Sequence, residues 1–95
     1  MINVKVYTKD GCHLCDNVIS ALHKLRLQQS FEVSTKDITT EPRLFERYKN
    51  IIPVVEIDGK IRLGGSALSN PNTLESTLRR ALAAAQEAST VGKLQ

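Results

Sequence analysis

The sequence predicts an α/β fold of order β-α-β-α-β-β-α, a four-stranded mixed sheet flanked by three helices. Three observations predict it. Apolar and polar residues alternate at residues 2–7 and again at 31–36, with a helical stripe between the two runs. Asp58-Gly59 joins two further short apolar runs, the strongest hairpin signal in the chain. A last stripe, Leu74, Leu78, Leu82 and Ala85, recurs at helical steps. Strand, helix, strand in succession reads as a right-handed crossover unit, to which the hairpin and the terminal helix are added.

Each element follows from local chemistry. Residues 2–7 (Ile2-Asn3-Val4-Lys5-Val6-Tyr7) form the first strand, and Thr8-Lys9-Asp10-Gly11 is a turn signal. Cys12 opens a helical pattern with Leu14, Val18, Leu22 and Leu25 on one stripe. Phe31, Val33 and Thr35 alternate with Glu32, Ser34 and Lys36 as the second strand. Thr40 offers a helix cap and Pro42 suits a first turn, so Leu44 and Tyr48 belong to a short second helix. Residues 51–57 give a third strand preceded or interrupted by Pro53, and residues 60–63 a fourth, broken by Gly64-Gly65. Asn70-Pro71, a cap followed by a first-turn proline, starts the last helix. Residues 1–88 are expected to make one domain and residues 89–95 a frayed tail.

Ninety-five residues at 41% hydrophobic and 24% charged are an ordinary globular chain, too short for two domains. With two Phe, two Tyr and no Trp, the core must come from Val, Ile, Leu and Ala. The formal charge of +3 is spread along the chain, and Arg79-Arg80 is the only adjacent pair of arginines. Without an aromatic stacking platform this excludes a nucleic-acid reader. No apolar run approaches the roughly 20 residues needed to span a bilayer, and the N-terminus has no signal-type apolar region. A cytoplasmic monomer is the expectation.

Cys12-His13-Leu14-Cys15 carries the chemistry. Two cysteines three residues apart at a helix start lie one turn from each other, within reach of a disulfide. Free N–H groups and the helix dipole favour an anion at the first of them. In such motifs a cysteine pKa falls from about 8.5 toward roughly 3.5–7.5, and the thiolate is the nucleophile of disulfide exchange. Cys12 is thus the candidate attacking thiol and Cys15 the resolving one. A purely structural disulfide would close so short a loop that it removes little chain entropy. Zinc needs three or four ligands; His13 is local, but His23 lies two to three turns along the helix, so no metal site is assigned. A metal or iron–sulfur centre bridging two chains stays open. So do a binding module without catalysis and a redox sensor switched by the Cys12–Cys15 disulfide. His13 either stabilises the thiolate or is an exposed polar residue, and His23 reads as surface.

The order of strand, Cys-x-x-Cys at a helix start, strand, helix, Ile52-Pro53, Asp58-Gly59 hairpin, Gly64-Gly65 and helix resembles the thioredoxin superfamily in its minimal glutaredoxin-like form. The resemblance spans residues 2 to about 88. It implies a thioredoxin fold and a thiol–disulfide oxidoreductase acting on protein or glutathione mixed disulfides. It implies a cis bond before Pro53, with the Ile52 backbone free to pair with an extended thiol substrate. Lys9 matches a lysine that attracts a glutathione carboxylate, though it also reads as a solvated turn residue. Gly64-Gly65 matches a glycine pair that admits a ligand closely, or else a simple strand end. Glutathione is the implied co-substrate, a protein or glutathione the implied reductant, and no tightly bound cofactor is expected. The chain departs from the family pattern at His13-Leu14, where proline and an aromatic usually stand, and at Ser66-Ala67-Leu68, where acidic residues usually follow the glycines.

Overall fold

A computed structural model describes the backbone of residues 1–94 and the side chains of residues 1–87. The tail expected over residues 89–95 therefore lies outside the residues described in full. Four strands, β1 (Ile2–Thr8), β2 (Phe31–Asp37), β3 (Val54–Ile57) and β4 (Ile61–Gly64), form one sheet of order β2-β1-β3-β4. β1 and β2 are parallel; β1 with β3 and β3 with β4 are antiparallel. Helices α1 (His13–Leu25), α2 (Pro42–Tyr48) and α3 (Leu74–Leu94) complete the predicted order. Two short 3-10 turns, Ile38–Thr40 and Gly65–Leu68, are additional.

Alternation along the strands divides the apolar residues between the two faces of the sheet. Val4 and Val6 of β1 and Val55 and Ile57 of β3 lie with Val18, Leu22, Leu25, Leu78 and Leu82 in one aliphatic core, beneath α1 and α3. Tyr7 and Val54 point the other way and meet Ile38 and Tyr48 in a smaller cluster, with Leu44, Phe45 and Ile52 packed against it. The Tyr7 and Tyr48 ring centroids are 4.6 Å apart and tilted by 32°. The hairpin turns at Asp58 (φ 52°) and Gly59 (φ 71°), both left-handed as a two-residue turn of this kind requires. Asp58 Oδ1 accepts the Asn3 N–H at 2.8 Å, which ties the turn to the start of β1.

Local reading erred at several places. Residues 51–53 lie before β3, because Tyr48 holds Ile51 and Ile52 in a turn, and Gly64 ends β4 instead of breaking it, paired with Val54. Leu14 is 40% exposed, because the buried stripe of α1 runs through Cys15, Val18, Leu22 and Leu25. Leu14 sits in the first turn, on the flank of that stripe. Thr40 does not cap α2: it ends a 3-10 turn, donating its hydroxyl to the Asp37 carbonyl at 2.8 Å, and Glu41 precedes the helix without a side-chain cap. Asn70 accepts the Asn72 N–H at 2.9 Å and closes a turn, while regular helix begins at Leu74.

Candidate active site

Sheet register brings the candidate residues to one end of the domain. Thr8 pairs with Asp37, Tyr7 with Val54, and Val54 with Gly64. Pro53 directly precedes Val54 and Gly65 follows Gly64 at this end, where the Gly65 N–H bonds to the Ile51 carbonyl. The turn that carries Lys9, Gly11 and Cys12 leaves β1 at this same end. Residues far apart in sequence are thus collected by strand pairing.

Cys12 is the residue before α1, in extended backbone (φ −91°, ψ 100°). Its Sγ accepts the Cys15 N–H at 3.1 Å, the bond a capping side chain makes with the first turn. The two cysteines form a disulfide across a Cα separation of 5.2 Å. Cys12 is half-buried, whereas Cys15 is fully buried. The outer sulfur is therefore accessible to a partner, and the inner one is reached through it. In the reduced chain, the Cys15 N–H and the N-terminal end of α1 favour negative charge on Cys12. His13, the first residue of α1, is exposed, and among the described residues its ring makes no hydrogen bond or ion pair.

The Ile52–Pro53 bond is cis and Pro53 is buried. The Tyr48 carbonyl holds the loop, accepting the N–H groups of Ile51 (2.9 Å) and Ile52 (3.0 Å). This corrects the expectation of a free Ile52 backbone: its N–H is already used, and its carbonyl is the group that remains without an internal donor among the described residues. The glycine pair closes the other side of the loop. A Cβ on Gly64 would lie 3.3 Å from Val54 Cγ2 and 3.4 Å from the Ile51 carbonyl oxygen. Gly65 (φ +57°) donates its N–H to that same oxygen at 2.8 Å. The close approach made at Gly64-Gly65 is thus to the protein's own loop.

Two hollows flank this arrangement. On the β2 side, Lys9 lines an open hollow of about 300 Å³ together with Asp10, Asp16 and Asp37. The lysine that the resemblance assigns to a carboxylate thus lines a hollow that also carries three acidic residues, with none of which it forms an ion pair. On the α2 side, a groove of about 370 Å³ runs from Ile51 past Val54 and Gly64 to Leu63, bounded by Arg47, Tyr48 and Arg62. Sequence reading missed Arg47, Ile51, Arg62 and Leu63, because no spacing relates α2 to β4; only the sheet brings them together. Ionisable groups nearby respond to their surroundings. Burial, reinforced by the Glu56 charge, raises the Tyr7 hydroxyl above its ordinary value. Hydrogen bonds from Thr39 lower Asp37, and Lys36, 2.8 Å away, lowers Glu41. Among the described residues no three His, Cys, Asp or Glu side chains gather into a metal-holding group, and no helix is long and apolar enough to cross a membrane.

Comparison with known proteins agrees with this geometry. A family profile described as glutaredoxin-like domain (DUF836) matches residues 3–83. Among solved structures, the chain is similar to the Northeast Structural Genomics target protein XcR50 from X. campestris. The two are 25% identical with a TM-score of 0.59, over 81% of this chain and 96% of that one. A malarial protein, 14% identical, superposes with a TM-score of 0.57 over 86% of this chain and 98% of its own, a likeness of fold alone. No curated protein matches the chain. With its mixed four-stranded sheet, its Cys12–Cys15 pair at a helix start and the profile match over most of its length, the chain belongs to the glutaredoxin-like family of the thioredoxin superfamily.

Proposed function

We propose that the protein is a dithiol–disulfide oxidoreductase that reduces protein or glutathione mixed disulfides. The observation that carries this reading is the asymmetry of the pair. Cys12 is half-exposed at the end of α1 with the Cys15 N–H on its sulfur, and Cys15 is buried one turn behind it. In the proposed cycle the Cys12 thiolate attacks one sulfur of a substrate disulfide, and the other sulfur leaves as a thiolate. The Cys15 thiolate then attacks Cys12 Sγ, forming the internal disulfide and releasing the second substrate sulfur. Two electrons pass to the substrate, and its sulfurs take up the two thiol protons. An external thiol, glutathione or a dithiol protein, returns the electrons by the reverse exchange. The chain's part is to hold Cys12 as an anion, shield Cys15, and offer the Ile52 carbonyl and the cis-Pro53 loop beside the sulfurs. We place it in the cytoplasm, as a monomer without a resident cofactor.

Substitution tests the roles separately. Cys12→Ser is expected to abolish turnover of a disulfide substrate. Cys15→Ser is expected to accumulate a mixed disulfide on Cys12, visible as added mass in intact-protein mass spectrometry. Full reductase activity in Cys12→Ser would sink the proposal.

A further inference from the structure

The geometry points to a substrate subsite beside the cysteines: the groove between α2 and β4 takes the carboxylate of an acidic residue that flanks the reacting cysteine of a polypeptide substrate. This rests on the exchange reading above and narrows its substrate class. Val54 and Gly64 line the groove together with Tyr48 and Leu63, and two arginines contribute to its wall, Arg47 from α2 and Arg62 from β4. A guanidinium keeps its charge at any working pH and grips a carboxylate through two parallel hydrogen bonds. Apolar neighbours strengthen such a contact by excluding water.

Both arginines retain capacity for a ligand. Arg47 lies 5.7 Å over the Tyr48 ring and holds no carboxylate among the described residues. Arg62 binds Glu56 through its Nε at 3.0 Å, which leaves two terminal nitrogens as donors. The groove also adjoins the cis-proline loop. Ile51 lines it and begins the loop that carries cis-Pro53, and Gly64 packs on that loop. Lys9 does not compete for the role, since it shares its hollow with three carboxylates.

Two features favour a polypeptide over a small thiol. Leu14 and Ile51 are 40% and 43% exposed at the cysteine end of the domain, offering apolar contact beyond the sulfurs. β4 is an edge strand, so its outer backbone groups have no partner in the sheet and suit an extended chain laid alongside.

The test uses two synthetic decapeptides disulfide-linked to a neutral thiol, identical except for Glu or Gln near the cysteine, assayed for reduction by the full chain. The expected result is a kcat/KM ratio of roughly fivefold or more in favour of the Glu peptide, shrinking as salt rises. Arg47→Gln and Arg62→Gln each bring the ratio toward one, while Arg80→Gln, which removes the same charge from the exposed face of α3, keeps it. A ratio near one in the wild-type protein, or a ratio that survives both groove variants, overturns the subsite. A binding measurement separates this failure from failure of the exchange reading. Peptides with Ser for Cys, titrated by NMR, are expected to shift groove resonances more strongly with Glu than with Gln. Selective binding without turnover would keep the subsite and sink the oxidoreductase, whereas turnover without selectivity would do the reverse.

Discussion

On one face of the sheet, α1 and α3 cover Val4, Val6, Val55 and Ile57 with a continuous layer of Leu, Val and Ala. On the other, the seven-residue α2 covers only the end near the cysteines, through Tyr7, Ile38, Tyr48 and Val54. Beyond it the strand register lines up a polar row, Ser34, Lys5, Glu56 and Arg62, across all four strands. The first face is an ordinary aliphatic core whose removal from water drives folding. The second face uses aromatic rings, a proline loop and two glycines to fix the shape of one edge. The larger core, under the helix that carries the cysteines, and the proline loop with its groove thus lie on opposite sides of the same strands, and substitutions on the two sides are expected to differ in kind.

The largest effect should come from the α1/α3 face. Leu78→Ala deletes a fully buried side chain, and about 2–5 kcal/mol of stability should be lost, transfer and cavity terms together. Urea unfolding measures this, and the potential of the Cys12–Cys15 couple in the folded variant should stay within experimental scatter. A large shift in potential would break the division of labour between the faces. Gly64→Ala is expected to cost less, about 1–3 kcal/mol, because the added methyl group would lie 3.3 Å from Cγ2 of Val54, a buried side chain with little room to give. Here the potential and the reactivity of Cys12 toward an alkylating reagent should change together if Val54 passes its displacement to the cis-Pro53 that precedes it. Tyr48→Leu removes a ring pair worth about 0.5–1.5 kcal/mol beyond its area, and should again disturb the thiol more than the fold.

The smallest effects concern pH, and they too belong to the α2 side. Asp37 and Glu41 are held below their ordinary carboxylate values by Thr39 and Lys36 respectively. Their contribution to stability is present above the unfolded carboxylate pKa and fades as pH falls through the lowered folded values. Asp37→Asn should therefore flatten the acid limb of a plot of Tm against pH. Tyr7 works in the opposite sense: its folded pKa is raised by burial, so the unfolded chain ionises first. Stability should decline as pH rises above about 10, and Tyr7→Phe should remove that decline. A wild-type Tm that stays flat across the alkaline range would count against the desolvation of Tyr7.

Much of the fold was legible in the chain because its signals are local. Val4 and Val6, the stripe Val18, Leu22 and Leu25, and the row Leu74, Leu78, Leu82 and Ala85 each show a period that only one secondary structure satisfies. Asp58-Gly59 dictates its own turn. The cysteine pair was legible for the same reason, since one helical turn suffices to join them. Capping was less so. Thr40 and Asn70 are good caps by composition, yet their neighbours draw them into turns before the helices, because short polar side chains bond whichever backbone group lies nearest.

The sequence alone determined the order of elements, the pairing of Cys12 with Cys15 and most of the buried helix faces, because those depend on residues within one or two turns of each other. Tertiary structure decided the rest. It assigned Tyr48 to hold the Ile51–Ile52 backbone, packed Gly64 close to that loop, put Lys9 in a hollow with three acidic residues and brought Arg47 and Arg62 to one groove. Each of these joins partners that only strand pairing and packing bring together, and no local periodicity encodes a distance across a sheet.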